Sequence, residues 1–197
     1  MNTRRFVGLV LQCVLPAAAL MGCTGGMHHK GEQQVSVVGS YGYPIKGPVG
    51  WPAGDGRAPN AGVTASYHYF FADRWAVAAN LTPYRGYAQD DGTITTGEYS
   101  MGVRYFITEF DLFERPFGIF ADLHGGLLYA AHSVPEGGAN LNFTQETGIG
   151  FEYRITPRVS WVGGYRLRHL SDGYLFASDN PSQNDQQIFT GIAISFP

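Results

Sequence analysis

The chain has 197 residues, enough for one domain, and a net charge of −3. It is rich in glycine (27 residues) and in aromatics (14%), and poor in charged residues (15%). Nothing resembles a nucleic-acid footprint, which needs a basic patch.

The first segment reads as a targeting signal. Asn2-Thr3-Arg4-Arg5 is a basic n-region, and Phe6 to Ala19 is an apolar run too short for a comfortable helical span. It ends in Leu20-Met21-Gly22-Cys23, which resembles a bacterial lipobox with a small residue directly before the cysteine. Residues 1–22 are then a lipoprotein-type signal peptide, and Cys23 becomes the lipidated mature N-terminus. The alternative is ordinary cleavage near Ala17-Ala18-Ala19, with Cys23 incidental. The other cysteine, Cys13, lies inside the signal, so an exported mature chain has no intramolecular disulfide. Polar, Gly-containing residues 23–32, including His28 and His29, are expected to form a flexible tether.

From residue 33 onward there is no helical periodicity. Eight runs with period-two alternation follow, each about ten residues, the length of a tilted membrane strand. They are predicted over 33–41, 62–71, 75–84, 95–107, 117–131, 141–155, 159–171 and 184–196. In the fourth, Tyr99, Met101, Val103, Tyr105 and Ile107 oppose Glu98, Ser100, Gly102, Arg104 and Thr108. In the sixth, Phe143, Thr147, Ile149, Phe151, Tyr153 and Ile155 share a face on which Gln145 is the polar exception. The fold class expected over 33–197 is all-β, an eight-stranded antiparallel transmembrane β-barrel.

A soluble sandwich would also alternate. The membrane reading rests on aromatics near both ends of the apolar faces, as in an interfacial girdle. The opposite faces mix glycine with charges of both signs, which suits a narrow lumen of paired ions. Glu98, Asp122, Glu146 and Glu152 are set there against Arg104, Arg154, Arg166 and Arg168. Eight strands leave little free interior, so these pairs read as structural rather than as a pore. The chain also ends in an apolar strand, with Ile192, Ile194 and Phe196. Short turns are expected at Ala72-Asp73-Arg74 and Thr156-Pro157-Arg158, and a moderate one around Glu109 to Pro116. Longer, extracellular connections are expected over 42–61, 85–94, 132–140 and 172–183. Closure removes sheet edges that hydrocarbon would not tolerate, and stabilises a domain without disulfides.

The seventh run carries the chemistry. Trp161, Gly163, Tyr165, Leu167, His169 and Ser171 share its lipid face, while Arg166 and Arg168 point inward. His169 and Ser171 therefore lie outside the barrel at the level of the outer leaflet. Asn184 opens the eighth run on the same face and at the same height. A base and a hydroxyl on one face are the minimum apparatus for ester hydrolysis. Polar groups facing lipid are costly unless they are used. Read from pattern alone, they are equally polar residues at the rim of any small barrel. His68, His124 and His132 form no ligand set by spacing, so no metal or cofactor is expected.

These residues also resemble a family. Gly164-Tyr165-Arg166, His169-Leu170-Ser171-Asp172, Asn180-Pro181, Asn184 and the terminal apolar strand are similar to the C-terminal signature of PagL-type lipid A 3-O-deacylases. Asn142-Phe143-Thr144-Gln145, followed by Gly148 and Gly150, is similar to the preceding strand of that family. The resemblance is clear over about 140–197 and rests mainly on barrel pattern upstream. It implies an eight-stranded outer-membrane enzyme that hydrolyses an acyl ester of lipid A. By that match Ser171 is the nucleophile and His169 the general base. The backbone of Asp172 and Gly173 corresponds to the oxyanion region, and Asn180 to a polar loop position.

The chain departs from the pattern in three places. Asp172 stands where the family usually has Asn. Ser182 stands where Gly normally follows Asn-Pro. Asn184 occupies the place of the third, acidic triad residue. An amide can orient a histidine but cannot supply the charge that stabilises an imidazolium, which implies slower turnover. Asp172 and Asp179 are the loop carboxylates available to replace the acid; parity turns Asp185 into the lumen. The expected partner is lipid A in the outer leaflet, with no nucleic acid; oligomeric state is not readable. The rival reading is a non-catalytic barrel with a structural, anchoring or adhesion role.

Overall fold

A computed structural model describes residues 26–46, 58–89, 92–176 and 181–197. Eight strands close into an antiparallel barrel in sequence order: β1 (Gln33–Pro44), β2 (Asn60–Ala72), β3 (Trp75–Gln89), β4 (Gly92–Leu112), β5 (Arg115–Ala130), β6 (Leu141–Arg154), β7 (Val159–Ser171) and β8 (Gln183–Phe196). β1 pairs with β8, so neither edge is open.

The period-two pattern maps onto two surfaces. Val37, Val63, Leu81, Met101, Leu123, Ile149, Ile188 and Ile192 form an exposed aliphatic belt. Trp75, Trp161 and Phe196 flank it at the end carrying the short turns, and Tyr43, Tyr99 and Tyr129 at the other. That girdled apolar band, with polar groups inside, is the build of a bacterial outer-membrane barrel.

The lumen is layered. Near the periplasmic end Val38, Phe70, Phe106, Phe120, Val162 and Phe189 form an apolar cluster. Toward the extracellular end Tyr84, Leu128, Ala130, Val134 and Leu170 form a second. Between them lies a buried ion network. Arg104 grips Asp122 in a two-pronged contact, Nε–Oδ1 2.9 Å and Nη2–Oδ2 3.0 Å. Arg166 stands 3.2 Å from Glu146, and Arg168 pairs with Glu98 and reaches Glu146 and Asp185. Apolar layers above and below shield this network from water, where unpaired charges would be costly.

Several local expectations differ. The moderate turn around Glu109 to Pro116 is a two-residue hairpin, because Leu112 pairs with Arg115. Phe113 and Glu114 both take positive φ, 52° and 61°, as that turn requires. Neither is a usual residue there, so the signal was unreadable. The loop expected over 85–94 is largely strand: Gly86 pairs with Ile94 and Gln89 with Gly92. In β4, Phe106 pairs with Phe120 and Thr108 with Ile119, so Ile107 is an inserted residue. This sets Thr108 beside outward Ile119, not on the lumen face expected for it.

The ion set also differs at its lower end. Glu152 lies beside His28, with Nε2–Oε2 at 3.3 Å, and accepts a hydrogen bond from Gln34 at 3.0 Å. Arg154 is a rim residue that donates to the carbonyls of Met27 (2.9 Å) and Pro157 (3.1 Å). The tether expected over 23–32 is therefore folded from residue 26. His28 is fully buried, stacks 4.0 Å from Phe70, and bonds Glu32 at 2.9 Å. The backbone pairs Gly31 N–H with Phe70 O and Phe70 N–H with Glu32 O. A buried carboxylate and two phenyl rings hold a segment whose composition reads as polar linker.

Candidate active site

The site is built by the registers of adjacent strands. Gln145 pairs with His169, His169 with Asn184, and Phe143 with Ser171. Paired residues share a face, so β6, β7 and β8 present one outward patch. Ser171 ends β7, and loop residues 172–176 follow directly.

Within the patch the three groups form a chain. His169 Nδ1 lies 2.7 Å from Asn184 Oδ1, and His169 Nε2 lies 3.2 Å from Ser171 Oγ. Asn184 Oδ1 is an acceptor, so it fixes the hydrogen on Nδ1. That leaves Nε2 unprotonated and able to accept the Ser171 hydroxyl proton. Although it faces outward, His169 is only 9% exposed, and Asn184 is fully buried. The pair is thus shielded from both water and lipid, which strengthens polar contacts.

Asp172 has another task. Its Oδ1 accepts the Tyr174 N–H at 3.0 Å, and its Oδ2 accepts the Phe176 N–H at 3.2 Å. Leu175 N–H donates to the Asp172 carbonyl at 3.2 Å. Gly173 and Tyr174 take positive φ, 64° and 61°, and turn the loop sharply. The carboxylate expected as a possible replacement acid therefore ties the loop beside Ser171, and the group facing His169 Nδ1 is the Asn184 amide. The loop also sets Phe176 against Phe143, with ring centroids 6.1 Å apart. Tyr174, Leu175 and Phe176 are all exposed.

Asp185 points into the lumen, where it accepts hydrogen bonds from Asn60 (3.0 Å) and Gln183 (2.7 Å). Cys23, Asp179 and Asn180 lie outside the described residues. His68 and His124 are inside the barrel, His124 3.7 Å from Glu146, and His132 is an exposed loop residue. Among the described residues, no group of three or more His, Cys, Asp or Glu is placed to hold a metal ion.

Comparison with known proteins agrees with this architecture. A family model for lipid A 3-O-deacylase (PagL) matches residues 60–193, more than half of the chain. No curated protein sequence matches it. Among solved structures, Neisserial surface protein A (NspA) is similar at 16% identity over 84% of this chain and 96% of that one, with a TM-score of 0.54. The N-terminal β-barrel domain of Pseudomonas aeruginosa OprF is similar at 12% identity over 86% and 100%, with a TM-score of 0.52. The Pseudomonas aeruginosa outer membrane protein OprG is similar at 13% identity over 86% and 97%, with a TM-score of 0.51. At these identities they share the fold alone.

Proposed function

This chain belongs to the PagL family of bacterial outer-membrane β-barrels, and from that premise we propose that it is a serine esterase removing the 3-O-linked acyl chain of lipid A. The observation that carries the reading is the chain Asn184 Oδ1–His169–Ser171 Oγ on the outward face. The ester of a lipid embedded in the outer leaflet meets the barrel at this height.

Ser171 Oγ attacks the acyl carbonyl while His169 Nε2 takes its proton. Backbone N–H groups around Asp172 and Gly173 face the developing oxyanion. The bond to the sugar oxygen breaks, and His169 returns the proton to that leaving hydroxyl. Water, deprotonated by His169, then attacks the acyl-serine; the bond to Ser171 Oγ breaks, His169 returns the proton to Oγ, and the fatty acid is released. Asn184 holds the tautomer that lets Nε2 act as base. A non-catalytic barrel would have no need of a buried amide holding that tautomer.

The test is mass spectrometry of lipid A incubated with the purified protein in detergent. Wild type should remove one acyl chain, from position 3, and Ser171→Ala should remove none while remaining a heat-modifiable barrel. Fatty-acid release by Ser171→Ala at the wild-type rate would overturn the assignment.

A further inference from the structure

The periplasmic mouth holds a cavity of about 1070 Å³ that takes no part in the proposed chemistry. Its volume is at the upper end of sites that hold small molecules. Four segments meet around it: the N-terminal stretch from Gly26 to Glu32, the β4–β5 turn, the β6–β7 turn and the end of β8. The first three bring the cations Lys30, Arg115 and Arg158, and Arg154 adds a fourth from the end of β6. Two of them are aimed by neutral groups. Arg115 donates to the Ile155 carbonyl, and Arg154 to those of Met27 and Pro157. A guanidinium has five N–H donors, so such contacts fix it while leaving donors and charge available. Among the described residues, Lys30, Arg115 and Arg158 form no ion pair. Against the four cations the lining sets carboxylates at Glu32, Glu114 and Pro197. Glu32 is already bonded to His28 at 2.9 Å and stands 4.0 Å from Arg154.

We infer that this basin binds the phosphate of an anionic phospholipid from the inner leaflet of the outer membrane. The same lining carries exposed apolar groups. Phe113, at the tip of the β4–β5 hairpin, is 84% exposed, and Phe196, on the lipid-facing side of β8, is 43% exposed. Trp75 and Trp161 mark the membrane interface at this end. Fixed cations beside exposed rings at that depth fit an amphiphile. Its phosphate meets the guanidinium and ammonium groups, and its acyl chains run into the leaflet past Phe196. A free phosphate makes no use of the rings, and a wall polymer of sugar and peptide leaves Phe113 in water. The Lys30 backbone N–H donates to Asp73 at 2.9 Å, so the N-terminal stretch presents its ammonium from a fixed point. A lipid held there bridges the N-terminal stretch to two turns, and so stabilises the folded barrel by mass action. The inference is independent of the esterase reading.

The test places the purified protein in nanodiscs of phosphatidylcholine with or without phosphatidylglycerol. Native mass spectrometry reads the lipid retained, and the thermal gel shift reads the unfolding midpoint. The proteins are wild type, the double variant Lys30→Gln/Arg158→Gln, Arg115→Gln, and Arg85→Gln as a control. Lys30 and Arg158 are exposed, and Arg85 is an exposed cation toward the extracellular end of β3. Heat-modifiable mobility verifies each barrel; if the double variant does not fold, Arg115→Gln decides alone. Wild type should retain phosphatidylglycerol at least ~10-fold more than phosphatidylcholine. The double variant should lose that preference ~10-fold or more, and Arg115→Gln about 3-fold or more. Arg85→Gln should keep it. Phosphatidylglycerol should raise the midpoint of wild type and not of the double variant. Equal retention of both lipids by wild type, or an undiminished preference in the double variant or in Arg115→Gln, would overturn the site. An equal loss in Arg85→Gln would overturn it in favour of general surface attraction. Displacement of the lipid by millimolar inorganic phosphate would make the basin a free-phosphate site. Sedimentation with peptidoglycan sacculi that the double variant abolishes, without any lipid preference, would overturn the lipid in favour of the cell wall.

Discussion

His169 and Asn184 face each other across the β7–β8 ladder, with Nδ1 and Oδ1 2.7 Å apart. On the proposed esterase reading, the position that holds an acid in a Ser-His-acid triad holds a neutral acceptor here. The contact fixes the imidazole tautomer but adds no negative charge beside an imidazolium. In serine proteases an acid-to-amide change that imposes the wrong tautomer costs about 10⁴ in kcat; here the Asn184 oxygen faces Nδ1, so only the missing charge remains.

The reverse change is therefore informative. Asn184→Asp keeps side-chain length and adds the charge, and should raise kcat on the order of tenfold or more with KM little altered, because the charge acts on the transition state. Asn184→Ala should lower kcat by roughly 10-fold to 100-fold. Steady-state kinetics on a lipid ester in detergent reads both. An Asn184→Asp enzyme no faster than wild type would show that charge at this position does not limit turnover.

Asp172 ties the loop beside the nucleophile through the Tyr174 and Phe176 N–H groups. Asp172→Ala should lower kcat by about an order of magnitude, since backbone donors next to Ser171 lose their fixed aim. Barrel stability should hardly change, because the loop lies outside the ladder. Asp172→Asn keeps one acceptor oxygen and should recover part of the rate. Kinetics and thermal gel-shift midpoints, measured together, separate these effects.

His28 closes the periplasmic end between Glu32 and Glu152. Burial opposes its charged form, but the two carboxylates outweigh burial and raise its pKa above the ordinary 6.5. A raised folded pKa means the stabilisation is fully present below about 6.5 and fades as pH rises through the raised value. The unfolding midpoint of the wild type should therefore fall on the alkaline side more than that of His28→Gln. His28→Ala should destabilise the barrel by ~3 kcal/mol at low pH, because it leaves a buried carboxylate without its partner. Thermal gel-shift series across pH test both statements.

Period-two alternation is a property of the local chain, and it was legible. It determined the eight strands, the lipid and lumen faces, the closed barrel and the outward positions of His169, Ser171 and Asn184. The family resemblance was legible for the same reason, since its residues sit close together near the C-terminus. Gln145 was visible as a polar exception on an apolar face, although nothing in its own strand said what stood beside it.

What the tertiary structure alone decided depends on contacts between segments distant in sequence. Register across two ladders put Gly125, Gln145 and His169 in one row, and register is fixed by barrel closure, not by composition. Asp172 became a loop tie because the chain turns back through positive φ at Gly173 and Tyr174, a turn its composition signals only weakly. His28 left the expected tether because Phe70 and Phe106 from two strands and Glu152 from a third converge on one buried site. A polar segment takes such a place only where the folded barrel supplies partners for every charge it brings in, and single-strand patterning carries no record of that.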